Sequence, residues 1–147
     1  MKKILQLITT IQFGQHLTPG NTGEVLYLKV NHIDEQGMLA PKNEIETRLN
    51  YKKVNPNLLL KDGDILLAGK GFRNIAWYYQ EEIGPAIASS VFFIIRVTAP
   101  EVLPKYLTLF LNMPRQQAIL QMLGAGTSFI PSIRKLSYST WKSQFLR

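Results

Sequence analysis

The order of secondary-structure patterns along the chain constrains its fold more than any other feature. Short apolar or alternating segments typical of β-strands occupy the first two thirds, and helix signals begin only at Pro104. Chains that place strands before helices in this way form α+β domains. We therefore expect a mostly antiparallel or mixed twisted sheet followed by short C-terminal helices, in one domain that covers residues 1–147.

Short apolar segments bounded by turn residues define the expected strands. They cover residues 24–30, 65–68, 74–79 and 91–97. The last of these (VFFIIRV) is apolar enough for a central strand. The second and third are predicted to form a β-hairpin with Lys70 in its loop. Residues 4–11 predict the start of a strand or helix, residues 51–54 have weak strand potential, and residues 86–90 predict a bend.

Two prolines mark the expected helices. Proline is favoured at a first helical position, so one helix is predicted from Pro104 to about residue 112 and another from Pro114 to residue 123. Gly124 is suited to end the second helix. Helical spacing places residues 118, 119, 122 and 123 on one apolar face, which we expect to pack in the core.

The charge of the chain is strongly positive and unevenly distributed. The formal net charge is +7, the isoelectric point is about 9.7, and no acidic residue follows Glu101. Such an excess favours polyanionic partners through counterion release. Charge alone does not separate this interpretation from a solvated basic surface without a partner.

The sequence carries no pattern of a catalytic or metal centre. Residues 63–70 lack the spacing and the hydroxyl residue of a phosphate-binding loop, and no G-x-G-x-x-G pattern is present. His16 and His32 are not spaced to bind one metal from a helical face, and the chain has no cysteine. We predict that the chain is not an enzyme and holds no cofactor or metal. Its apolar stretches are shorter than the ~20 residues of a membrane span, so we expect a cytoplasmic protein without a membrane partner.

Three stretches together resemble the target-recognition domains of type I restriction–modification specificity subunits. They are residues 60–68 (LKDGDILLA) with the glycine-containing residues 69–71, then residues 86–96 (AIASSVFFIIR), and then residues 104–107 (PKYL) with the later residues 126–133 (GTSFIPSI). Residues 11–14 and 27–31 are similar to the opening of such domains. The stretches follow the order of the family and span nearly the whole chain.

The resemblance implies a fold like that of a DNA target-recognition domain and a sequence-specific, double-stranded DNA-binding function in a restriction system. It also implies a DNA methyltransferase (modification) subunit and a restriction or translocase subunit as partners, and a homodimer is conceivable. The second domain and the spacer helix of the family are absent, so the chain is a fragment, a silent cassette or a stand-alone relative. The alternative is a non-catalytic protein-interaction module that docks a methyltransferase partner without reading DNA.

DNA recognition needs cations for phosphates and polar side chains for base edges, and three segments supply them. The candidate DNA-binding residues are Lys70, Arg73 and Asn74 in the hairpin loop, Arg48, Lys52 and Lys53 in a basic segment, and Thr127, Ser128, Arg134 and Lys135 near the carboxyl end. The first segment is equally well interpreted as an ordinary hairpin tip. The second is also typical of an exposed edge strand protected by lysines. Residues 77–79 are predicted to pack in the core.

Overall fold

Seven strands form two sheets in the part of the chain that the computed structural model describes, residues 9–69 and 74–123. The strands are β1 (Thr9–Phe13), β2 (Val25–Leu28), β3 (Arg48–Leu49), β4 (Ile65–Ala68), β5 (Ala76–Tyr78), β6 (Ala86–Ala88) and β7 (Phe92–Val97). Two helices follow, α1 (Pro104–Leu111) and α2 (Pro114–Leu123). The mixed α+β class expected from the sequence is confirmed.

The two sheets differ in strand direction. The larger sheet has the order β1-β7-β4-β5, and its neighbouring strands are all antiparallel. The smaller sheet has the order β3-β2-β6, in which β2 is antiparallel to β3 and parallel to β6. A single sheet was expected, and the structure has two.

The sheets and helices stack in layers, and side-chain alternation along β4 explains the packing. Ile65 and Leu67 point to the helices, whereas Leu66 and Ala68 point to the smaller sheet. The layer between the sheets is built mainly from Leu26, Leu28, Leu66, Trp77, Phe92 and Ile94. The layer under the helices contains Leu67, Phe93, Ile95, Leu107, Phe110 and Leu111. Other layers cover both faces of β4 and β7, which explains why apolar residues follow one another along most of each strand.

One ion pair joins the start of β4 to the end of β7. The Asp64 carboxylate is 1% exposed and accepts two hydrogen bonds from the Arg96 guanidinium, both at 2.8 Å. It also accepts the backbone N–H of Lys61 at 2.8 Å, which closes the turn before β4. The bond to Asp64 raises the pKa of Arg96, so the guanidinium stays charged. The bidentate geometry compensates the burial of the carboxylate.

The predicted strands at 24–30, 65–68, 74–79 and 91–97 and both predicted helices are confirmed. Strand β7 is central, because it lies between β1 and β4. Strand β1 confirms a strand at the end of residues 4–11, whose first residues lie outside the described part. Residues 129–133 (FIPSI), whose sequence also predicts a short strand, lie outside it as well.

Residues 86–90 were expected to form a bend, and this prediction is wrong for the first three. Ala86, Ile87 and Ala88 form β6 and pair in parallel with β2. Ala86 and Ala88 are 0% exposed and face the larger sheet, where small side chains allow close approach. A three-residue strand flanked by small residues carries too little periodicity to be recognised from sequence.

The predicted core face of α2 is also wrong where the structure describes it. Met122 is 85% exposed, and Ala118 is exposed as well. In the first turn, Gln116 is only 3% exposed and Gln117 is half-buried, whereas Pro114 and Arg115 are exposed. This helix contacts the domain through amide groups near its start, so its apolar periodicity does not mark the packed face.

Replacing Arg96 by methionine should destabilise the fold strongly, because it leaves the Asp64 carboxylate buried without its counter-charge. We expect a loss of about 3 kcal/mol in the free energy of unfolding, since Arg96 is 27% exposed and the buried-pair cost is partly relieved by water. Urea unfolding of the purified variant measures it. Arg115→Met, at an exposed position on α2, is the control and should change stability by less than about 0.5 kcal/mol. Equal effects of the two substitutions would contradict a structural role for the pair.

Candidate nucleic-acid interface

The charge excess of the chain lies outside the described residues. All ten Asp and Glu are in residues 9–69 and 74–123, together with nine of the seventeen Lys and Arg, which gives this part a formal charge of −1. The other eight Lys and Arg are in residues 1–8, 70–73 and 124–147, which contain no acidic residue. The positive charge is therefore concentrated in three segments attached to a nearly neutral framework.

The basic segment at residues 48–53 divides into a structural part and an exposed part. Arg48 belongs to the edge strand β3, and its guanidinium donates to the backbone oxygens of Ile45 at 2.9 Å and Lys42 at 2.6 Å. These bonds tie down the preceding loop. Lys52 and Lys53 are exposed. Of the three predicted residues in this segment, the two lysines are the ones placed to contact a polyanion.

A 3₁₀ turn, Tyr51–Lys53, presents the two lysines, where weak strand potential was predicted. The Asn50 side chain caps this turn by accepting the Lys52 N–H at 2.9 Å. The Glu24 carboxylate accepts the Tyr51 N–H at 3.1 Å, and this bond, helped by the Lys52 charge, lowers the pKa of Glu24. The turn is held through its backbone, so the lysine side chains stay available.

The hairpin base at β4 and β5 is tightly specified. A Cβ on Gly69 would overlap the Phe93 ring, so this position requires glycine. The Gly69 N–H donates to Val91 O at 2.9 Å, and the Ala68 N–H donates to Ile75 O at 3.0 Å. Both ends of the loop are therefore anchored where it leaves the sheet.

Asn74 was predicted to read a base, and its position in the structure does not fit that role. Asn74 is only 6% exposed, and its side-chain amide donates to Ala68 O at 2.7 Å across the base of the hairpin. An amide used in this way fixes the loop rather than facing solvent. Lys70 and Arg73, the other predicted residues of this loop, lie outside the described part. So do Thr127, Ser128, Arg134 and Lys135.

The structure does not bring the two basic segments to one end of the domain. Leu49 pairs with Val25, which places the lysine turn beside the amino end of β2. The Ser89 N–H donates to Leu28 O at 2.9 Å, and the hairpin base is bonded to the neighbouring Val91. The hairpin loop therefore leaves the domain at the carboxyl end of β2. The four residues of β2 span about 10 Å from the first Cα to the last.

His32, weighed for a metal role, and the nearby carboxylate of Asp34 have separate local partners. His32 Nδ1 accepts the Lys29 N–H at 3.0 Å, whereas Asp34 Oδ1 accepts the backbone N–H groups of Gln36 and Met38, both at 2.9 Å. Each side chain closes a turn. Residues 9–69 and 74–123 contain no cluster of three or more His, Cys, Asp or Glu side chains that would hold a metal ion.

Two amide residues that sequence reasoning did not select also meet the hairpin. Gln117 of α2 donates to Asn74 O at 2.6 Å, and Asn112, which ends α1, bonds to Ala76. Neither residue carries a sequence signal for this role, because each is simply a polar side chain that interrupts an apolar helical pattern. The three residues at 77–79 pack as predicted, with Trp77 8% and Tyr79 3% exposed.

Acidification should destabilise the fold through His32. Burial, and then the charge of Lys29, lower the pKa of His32 below its ordinary value of 6.5. The contribution of neutral His32 to the stability of the fold is therefore complete above about pH 6.5. It is lost as the pH falls toward the folded-state pKa, because the unfolded chain binds the proton first. His32→Asn keeps an acceptor for the Lys29 N–H but does not titrate. Urea unfolding at about pH 7.5 and about pH 5.5 should show a larger loss in the wild type than in His32→Asn, and equal losses would contradict the assignment.

Comparison with known proteins adds no family assignment. The chain matches no protein-family model, and no curated protein matches it. Within residues 9–69 and 74–123, no helix has the length and apolar character needed to cross a membrane.

Proposed function

We propose that the chain binds double-stranded DNA sequence-specifically, as a target-recognition domain of the kind found in type I restriction–modification specificity subunits. In this proposal the described α+β framework holds basic segments that contact the duplex, and no residue performs chemistry. By the same resemblance, the partners would be a DNA methyltransferase subunit and a restriction or translocase subunit.

The partition of charge is the observation that carries the proposal. Eight Lys and Arg without a single Asp or Glu occupy residues 1–8, 70–73 and 124–147, whereas the rest of the chain is close to neutral. Concentrated cations release counterions from a duplex when they contact its phosphates, and this release favours binding.

The ion pair between Asp64 and Arg96 joins two of the stretches on which the resemblance rests. Asp64 belongs to the first stretch that resembles the family, and Arg96 ends the second. The bidentate bond makes the two stretches one structural unit, and β4 and β7 are hydrogen-bonded neighbours. The residues that carry the likeness therefore include the pair that organises the larger sheet.

The two ends of β2 suit different parts of the recognition. The hairpin loop, with Lys70 and Arg73, would enter the major groove, where arginine reads guanine through two hydrogen bonds. Lys52 and Lys53, beside the amino end of β2, would contact phosphates away from the base edges that the loop reads. Arg48 and Asn74 have no direct contact in this scheme, since their side chains bond to the backbone.

An apolar surface on α1 favours the second candidate, a protein-interaction module that does not read DNA. Tyr106 and Leu109 are each 56% exposed, and Met113 is 43% exposed. Tyr106 and Leu109 lie on one face of α1, and Met113 follows the end of that helix. Exposed apolar faces of this kind mark protein-binding sites when they extend far enough. Affinity for such a partner would depend little on salt, which separates this candidate from a DNA reader.

Lys52→Ala should weaken binding to every duplex alike. The loss of one phosphate contact should reduce the slope of log affinity against log salt by about 1. Fluorescence titrations of a labelled duplex over a range of salt concentrations measure the slope. Lys105→Ala removes the same charge from an exposed position on α1 and should leave the slope unchanged. Equal slopes for wild type and Lys52→Ala would remove this turn from the interface.

Arg73→Ala should weaken binding to the preferred sequence by about 1–3 kcal/mol and relax base choice at one position. The reason is the loss of a bidentate contact to a base edge. Selection from a random duplex pool, with wild type and variant in parallel, identifies the preferred sequence and the relaxed position. A variant that selects the same sequence with undiminished stringency would show that Arg73 reads no base.

A further inference from the structure

Amide side chains from the helical part clamp the base of the hairpin between β4 and β5. Gln117 Nε2 donates to Asn74 O at 2.6 Å and to Leu111 O at 2.8 Å. Asn74 in turn donates from its side chain to Ala68 O at 2.7 Å. One chain of hydrogen bonds thus runs from α2 through the residue after the loop to the last residue of β4.

Asn112 makes a second connection to the same hairpin. Its Oδ1 accepts the Ala76 N–H at 2.8 Å, and its Nδ2 donates to Ala76 O at 2.7 Å. The side-chain amide therefore replaces a neighbouring strand at the free edge of β5. Backbone groups at an edge otherwise remain open to water or to another chain. We call Asn112, Gln117 and Asn74 together the amide clamp.

The amide clamp lies where two of the three basic segments leave the described framework. The hairpin loop is bounded by Gly69 and Asn74. Helix α2 ends at Leu123, six residues or about 9 Å beyond Gln117, and the segment that contains Arg134 follows it. Gln117 therefore links α2, the helix that precedes the second segment, to the residue that ends the hairpin loop.

We propose that Gln117 and Asn112 are positioning residues for DNA recognition: they touch no base or phosphate but hold the hairpin base in the orientation that reading requires. This inference rests on the proposed DNA-binding function and adds which residues of the framework control its specificity. Bidentate base contacts depend on angle and distance, whereas phosphate contacts by flexible lysines tolerate displacement. Loss of the clamp should therefore lower sequence discrimination and leave the salt dependence intact.

The test compares Gln117→Met with Gln80→Met. Methionine keeps the length of the side chain and removes both donors of Gln117. Gln80 is exposed, lies just beyond the other end of β5, and makes only a long 3.4 Å contact to the Tyr78 hydroxyl. The first measurement is hydrogen exchange of peptides that cover residues 66–76. The second is the ratio of the affinities for the duplex selected by the wild type and for a shuffled duplex, with the salt slope of each.

For Gln117→Met we expect faster exchange at residues 66–76, an affinity ratio reduced about tenfold, and an unchanged salt slope. Gln80→Met should match the wild type in all three. Gln117→Ala, which adds no bulk, repeats the test if the methionine variant unfolds. Unchanged exchange would show that no clamp exists. Faster exchange with a full affinity ratio would overturn the positioning role alone. A wild type that binds no duplex at low ionic strength would overturn the proposed function and this inference with it, whatever the exchange result.

Discussion

The bidentate bond between Asp64 and Arg96 is the interaction on which the rest of the structure depends. A carboxylate that is 1% exposed is tolerated only when it is paired and hydrogen-bonded. Here it has the guanidinium on one side and the Lys61 N–H on the other. These bonds fix the turn before β4 and its alignment with β7. The two-sided packing of the larger sheet, and the hairpin that extends from β4, follow from that alignment.

Continuous apolar strands and proline-initiated helices could be predicted from the sequence because their signals are local. The run in β7 and the hairpin of β4 and β5 are examples. Strand β6 was missed because it has only three residues, and the small side chains of Ala86 and Ala88 that face the larger sheet leave no clear periodic pattern. The packed face of α2 was missed because Gln117 attaches through hydrogen bonds, and an apolar pattern does not report them.

The candidate site also divides into features that could be predicted from the sequence and features that could not. Residue type selected Lys52 and Lys53 as DNA contacts, which stays a prediction, and the structure shows both exposed on a capped turn. Residue type could not show that the side chains of Arg48 and Asn74 donate to backbone oxygens, because those acceptors lie in neighbouring segments of the folded chain. Of the described polar side chains selected for DNA contact, the two lysines are exposed, whereas Arg48 and Asn74 bond to the backbone. In our proposal the framework supplies support, and the basic segments supply contact.

The salt dependence of duplex affinity for the unmodified chain tests the central claim most directly. If segregated cations bind phosphates, affinity must fall steeply as salt rises. Four phosphate contacts alone predict a loss of about a hundredfold between about 50 mM and about 200 mM salt. An affinity that is the same at both concentrations, or no duplex binding at the lower one, would contradict the account.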